Sequence, residues 1–244
     1  MLENKDYNNE FLKEEIEIVN ESLKFNIELN NLNESPVKDF FQTIKEFFLN
    51  ILSLIKNGLV KFMKFFNTNF NRITIKTKST LKKIKKNKEK INSVMSKLSG
   101  PASVFSIWKA TDLRKYENTL NYAGHDSFSM KYHDFEKELE ENNHYLEIPL
   151  TMSIDLEYVV SKSFEQFNEA KSFAKSFKIS ADTMKSASET SIKFANKEIE
   201  EEKIRENQRM VNDLNKLNVL YRKVVNNAMK SHVDVLNDVQ KYID

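Results

Sequence analysis

KDFFQTIKEFFLNILSLIKNGLVKFMKFFN, Lys38 to Asn67, sets the architecture of this chain. Its apolar residues at Phe40, Ile44, Phe47, Ile51, Ile55, Leu59, Phe62 and Phe66 recur in steps of three or four, the spacing of one broad helical face. Gln42, Lys45, Lys56, Asn57 and Lys64 fall on the other side. Ser35-Pro36 just before it reads as a helix N-cap followed by proline at the first helical position. A membrane-spanning helix needs roughly 20 nearly uncharged residues. Here Lys45, Glu46, Lys56, Lys61 and Lys64 interrupt, and Lys56 alone would cost about 2.5–3.5 kcal/mol near the bilayer centre. The face therefore seeks a protein core, another chain or a membrane surface. Its candidate interface or membrane-contact residues are Phe40, Ile44, Phe47, Phe48, Ile51, Ile55, Leu59, Phe62, Phe65 and Phe66.

Working outward, 244 residues are enough for one or two domains with real cores. Only 3 Gly and 3 Pro punctuate them, too few for a turn-rich sheet protein, so helices joined by few turns are expected. The absence of cysteine excludes disulfides and thiol nucleophiles. The N-terminal MLENKDYNNEFLKEE is acidic and has no apolar run of the kind a signal peptide carries.

The net charge of +2 conceals a segregation. From Met1 to Phe40, ten acidic residues face Lys5, Lys13, Lys24 and Lys38. From Phe41 to Ser99, fourteen Lys and Arg face only Glu46 and Glu89. The expected organisation is an acidic leader over 1–35, the Phe-rich helix plus a Lys-rich coiled segment over 36–99, and a helical body over 100–244.

Periodicity gives the expected elements. Leu81, Ile84, Lys88, Ile91, Met95 and Leu98 alternate steps of three and four, which predicts a coiled-coil seam on a helix from about Ser79 to Leu98. ITIKTK before it alternates like a short strand. A helix is predicted over Ala102–Tyr122, a short acidic helix over Tyr132–Asn143, and a connection over His144–Met152. Leu156, Val160, Phe164, Phe167, Ala170, Ala174 and Phe177 predict a further helix, followed by a small-residue stretch that permits close helix approach. In the last helix, Met210, Leu214, Leu217, Tyr221, Val224 and Ala228 are flanked by a second row, Val225, Met229, His232, Leu236 and Ile243. That width predicts burial among several neighbours. The fold class expected is all-α, an elongated helical bundle with coiled-coil segments.

The strongest binding signal is KTKSTLKKIKKNKEK. Its lysines, Lys76, Lys78, Lys82, Lys83, Lys85, Lys86, Lys88 and Lys90, have the density to neutralise phosphates without reading sequence, or else form a solvated helix face. His125-Asp126 and His133-Asp134 hold metal-ligating residue types in a spacing that fits no familiar site. No P-loop, dinucleotide fingerprint or nucleophile elbow occurs. A non-enzymatic protein with no cofactor, metal or small-molecule substrate is expected.

The order of IKEFFLNILSLIKNGLVKFMKFF, LKKIKKNKEKI and VLYRKVVNNAMKSHVDVLNDVQKYI resembles internal or structural virion proteins of large tailed bacteriophages. The resemblance implies a protein made in the host cytoplasm and held in the capsid interior, contacting itself, other virion proteins and DNA. It also implies processing after a Leu/Ile-x-Glu motif, for which Leu32, Glu34 and the following Ser35 are the candidate site. The alternative is a membrane-active protein, ejected from the virion or pore-forming, whose Phe face meets a membrane surface.

Overall fold

The computed structural model describes residues 37–95, 103–141, 144–150 and 153–243. The leader pattern, the Ser35-Pro36 cap, the processing residues Leu32, Glu34 and Ser35, and Leu98 lie outside the described residues. Among the described residues the fold is all-α with one small two-stranded sheet. Helix α1 (Val37–Leu54), a π-turn (Ile55–Leu59) and α2 (Val60–Lys86) follow one another directly, and α3 (Lys88–Met95) comes after Asn87. The chain then forms β1 (Ser103–Trp108), a 3₁₀ helix (Thr111–Tyr122), α4 (Phe128–Glu140), β2 (Tyr145–Leu150), and the long helices α5 (Ser153–Ala195) and α6 (Glu201–Ile243).

Two compact units are each discontinuous in sequence, whereas the charge blocks are contiguous. One unit joins the segment ending at Phe62 to Met184–Gln208; the other joins Met63–Thr183 to Arg209–Asp244. In the first, Ile44, Phe47, Phe48, Ile51 and Ile55 of the aromatic stretch are buried, as are Met184, Ala187, Ala195 and Ile204 of the other segment. The Arg205 guanidinium sits 4.4 Å over the Phe40 ring in this unit.

Three expectations are corrected. The predicted helix over Ala102–Tyr122 is instead β1 followed by the 3₁₀ helix, and the predicted connection over His144–Met152 contains β2. The two strands pair antiparallel, with Phe105 opposite Ile148 and Trp108 opposite Tyr145. Period-two burial explains them: Phe105, Ile107, Ile148 and Leu150 are buried, while Val104, Tyr145, Glu147 and Pro149 are exposed. The Lys109 N–H donates to the His144 carbonyl, which makes Lys109–His144 a hydrogen-bonded pair. By alternation along the ladder, Val104–Pro149 is a non-hydrogen-bonded pair, so the proline leaves no ladder donor missing. The third correction is that the strand-like ITIKTK lies inside α2. A strand would put Ile73 and Ile75 on one face, but Ile73 is 8% exposed and Ile75 69%. The Thr74 and Thr77 hydroxyls donate to the Phe70 and Ile73 carbonyls, each at 2.8 Å, so β-branched threonines sit in the helix with their hydroxyls satisfied.

In the larger unit, Tyr221, Phe135 and Phe173 form a buried aromatic cluster with centroids 5.8–6.1 Å apart, and Tyr116 stacks on Phe135 at 4.9 Å. The Tyr221 hydroxyl donates to the Glu117 carbonyl at 2.8 Å, and burial pushes its pKa well up. The Thr111 amide and hydroxyl both donate to Gln166 of α5, at 3.1 and 3.2 Å. Such anchors hold a twelve-residue 3₁₀ helix, a length this geometry seldom sustains alone.

Two glycines have opposite roles. Gly124 has φ +85°, its N–H donates to Asp213 at 2.9 Å, and an added Cβ would meet the Met210 Cβ at 3.2 Å. Gly58, in the π-turn, has open space where a Cβ would go. Gly124→Ala is expected to lower stability by about 1–3 kcal/mol. Gly58→Ala is expected to raise it by up to about 1 kcal/mol. Urea denaturation of both variants checks the difference in sign.

Candidate nucleic-acid interface

The interface begins with what α2 buries. Ile73, Thr77, Thr80 and Ile84 are spaced four, three and four residues apart and are at most 8% exposed. At about 100° per residue they form one line along the helix. Thr77 in this line meets His232 of α6, with Thr77 Oγ1 2.8 Å from His232 Nε2 and Ser163 Oγ of α5 2.8 Å from His232 Nδ1. Because the Thr77 hydroxyl donates to the Ile73 carbonyl, it accepts from Nε2–H. In the neutral ring Nδ1 is the acceptor, and the Ser163 hydroxyl donates to it.

Aromatic stacking closes the junction. The Phe167 ring lies 5.5 Å from the imidazole, and Phe70 of α2 stacks on Phe167 at 4.8 Å. The Lys171 ammonium caps Phe70 at 3.6 Å. Burial first, and the charge of Lys76 second, pull the His232 pKa down to about 3, so the ring is neutral. In sequence His232 read only as part of an apolar row; its partners Thr77 and Ser163 carried no signal, because their contact spans 155 and 69 residues.

With that line turned inward, the lysines turn outward. Lys76, Lys78, Lys82, Lys83, Lys85, Lys86, Lys88 and Lys90 are all exposed. On the helical wheel of α2, Lys85, Lys78, Lys82, Lys86, Lys83 and Lys76 fan over about half the circumference, opposite the buried line. Packing sets the two edges of this arc. On one, Lys85 pairs with Glu157 of α5 at 3.1 Å; on the other, Lys76 donates to Asn237 of α6 at 2.9 Å. Among the described residues, no carboxylate pairs with Lys78, Lys82, Lys83, Lys86 or Lys88. Lys88 leaves the predicted seam for solvent, while Ile84 and Ile91 remain buried and backbone hydrogen bonds run on through Asn87.

The sequence reading missed one extension. Lys171, Lys175 and Lys178 are exposed on one face of α5, a spacing of four and three that was legible. Burial lowers the Lys171 pKa first, and repulsion from Lys175 adds to it.

The other candidate residues sit elsewhere. Ile44, Phe47, Phe48, Ile51, Ile55, Leu59, Phe62 and Phe66 are buried, and Phe40 and Phe65 are partly buried. Among the described residues no helix is long and apolar enough to cross a membrane, and no group of three or more metal-ligating side chains comes together. Asp126 pairs with Arg209 at 2.6 Å, and His133 lies 3.9 Å from Glu136. Comparison with known protein families, curated proteins and solved structures gives no match.

The junction has a pH signature. An unfolded histidine titrates near 6.5. The folded pKa is lower, so the unfolded state takes up a proton first as pH falls. The stability this group contributes is present above about pH 6.5 and drains away towards pH 3, at about 1.4 kcal/mol per pH unit. Asp213 and Asp234, whose pKa values burial raises, work in the opposite direction at acid pH. The difference in urea midpoint between wild type and His232→Gln across pH 4–7 isolates the histidine: wild type loses the larger share of stability on acidification.

Proposed function

We propose that this chain is a non-enzymatic virion protein of the tailed-bacteriophage type, held in the capsid interior, that binds DNA without reading its sequence. The observation that carries the proposal is the outward arc of α2 and α3, whose Lys76-to-Lys90 lysines are all in solvent. Lysine is a compact point charge that meets phosphate from many directions, which suits backbone contact rather than base readout. Lysines four residues apart on one helix face, such as Lys78, Lys82 and Lys86, repel by a few tenths of a kcal/mol per pair, and phosphates relieve that repulsion. The layout of an acidic leader, an aromatic helix and a Lys-rich segment supports the virion setting by resemblance. Contacts with copies of itself or with other virion proteins belong to the same proposal.

The membrane-active alternative would use the aromatic face of Lys38–Asn67. Burial of Ile44, Phe47, Phe48 and Ile51 favours the DNA reading, since a bilayer could take up that face only after it left its present packing.

Lys82→Glu/Lys86→Glu tests the reading without touching a buried residue. The expected result is a loss of affinity for mixed-sequence DNA of about a hundredfold or more at low salt, with unchanged circular dichroism and Tm. Unchanged affinity would remove the arc from DNA binding. Mass spectrometry of purified particles is expected to find the chain, and its absence there would contradict the virion setting.

A further inference from the structure

We infer that the nucleic acid held by this lysine arc is a duplex, gripped by both phosphate backbones, in preference to a single strand. The inference rests on the DNA reading above and goes beyond it on three observations.

Helix α2 itself offers no stacking platform among its lysines. Proteins that bind single strands stack successive bases on exposed aromatic rings. On α2, Phe66 and Phe70 are buried and Phe65 is partly buried, and the exposed uncharged residues among the lysines are aliphatic or small polar ones such as Asn71, Ile75 and Ser79.

The charge is two-sided. Lys78 and Lys85 lie towards the α5 edge of the arc, Lys76 and Lys83 towards the α6 edge, and Lys82 and Lys86 along its crest. A helix with its side chains is about 10–12 Å across, comparable to the roughly 12 Å between the phosphate rows that border a duplex major groove. Two lysine flanks separated by a helix width can meet two phosphate rows at once, whereas a single strand has one row.

The arc is also fixed in direction. Thr77 on His232, Phe70 on Phe167 and Lys85 on Glu157 hold α2 against α5 and α6, so the lysine flanks keep a set spacing. A stiff duplex meets a fixed array with little loss of its own conformational freedom, while a flexible strand must be ordered to do so.

Anisotropy titrations of the full chain against a labelled duplex of about 20 base pairs and each of its separated strands, from about 50 to 300 mM salt, decide the matter. The duplex is expected to bind about tenfold more tightly at low salt, with a log–log salt slope near −5 against about −2 to −3 for a strand. Lys78→Gln/Lys83→Gln, which removes one exposed lysine from each flank, is expected to reduce the duplex slope by about two and the strand slope by less. Strands that bind as tightly as the duplex would overturn this inference and leave the DNA reading standing. Failure of both to bind at low salt would overturn the two together.

Discussion

A neutral imidazole bonded on both sides governs how three helices face one another in the larger unit. His232 of α6 donates to Thr77 of α2 and, kept neutral by burial, accepts from Ser163 of α5. The Phe70–Phe167–imidazole stack adds shape to the hydrogen bonds, and Lys171 closes its outer end. A helix can slide or rotate against an apolar stripe at modest cost, because dispersion contacts are exchangeable. Buried hydrogen bonds are not exchangeable in that way: turning α2 by a residue would orphan the Thr77 and His232 groups in an apolar setting. The junction thus fixes both the register and the rotation of α2.

Everything on the surface of α2 follows from that rotation. Fourteen basic residues within Phe41–Ser99 could have been scattered around their helices, but a seam of Ile73, Thr77, Thr80 and Ile84 leaves α2's lysines only the opposite side. Mutual repulsion then disfavours their clustering, and Glu157 relieves it at Lys85. In the proposed function, release of a polyanion's counterions would supply the driving force for binding this surface.

Legibility in the sequence tracks how local each feature is. The repeated apolar steps of α1, α5 and α6 announce their helices, and the second row from Val225 to Ile243 announces that α6 is enclosed, as burial of Val225, Met229, His232, Leu236 and Ile243 bears out. The two strands escape because each is only six residues long and their pairing joins positions about forty residues apart. Pro149 hid β2 further, since its harmlessness depends on falling at a non-hydrogen-bonded site of the ladder. ITIKTK misled for a related reason: its threonines favour strands until their hydroxyls bond the preceding turn. At the interface, the lysines could be read by count, but their common direction could not, because it is set by Thr77 meeting a histidine 155 residues away.

The locking of α2 with its seam inward and its lysines outward can be read directly because the chain contains no cysteine. Single cysteines placed in turn at positions 76 to 86 should react with a thiol reagent at rates that follow the helix. Positions 78, 82, 83 and 86 should label rapidly in the folded protein, and positions 77, 80 and 84 should be protected by orders of magnitude. Equal labelling rates along the segment, or an alternation of period two, would contradict the account.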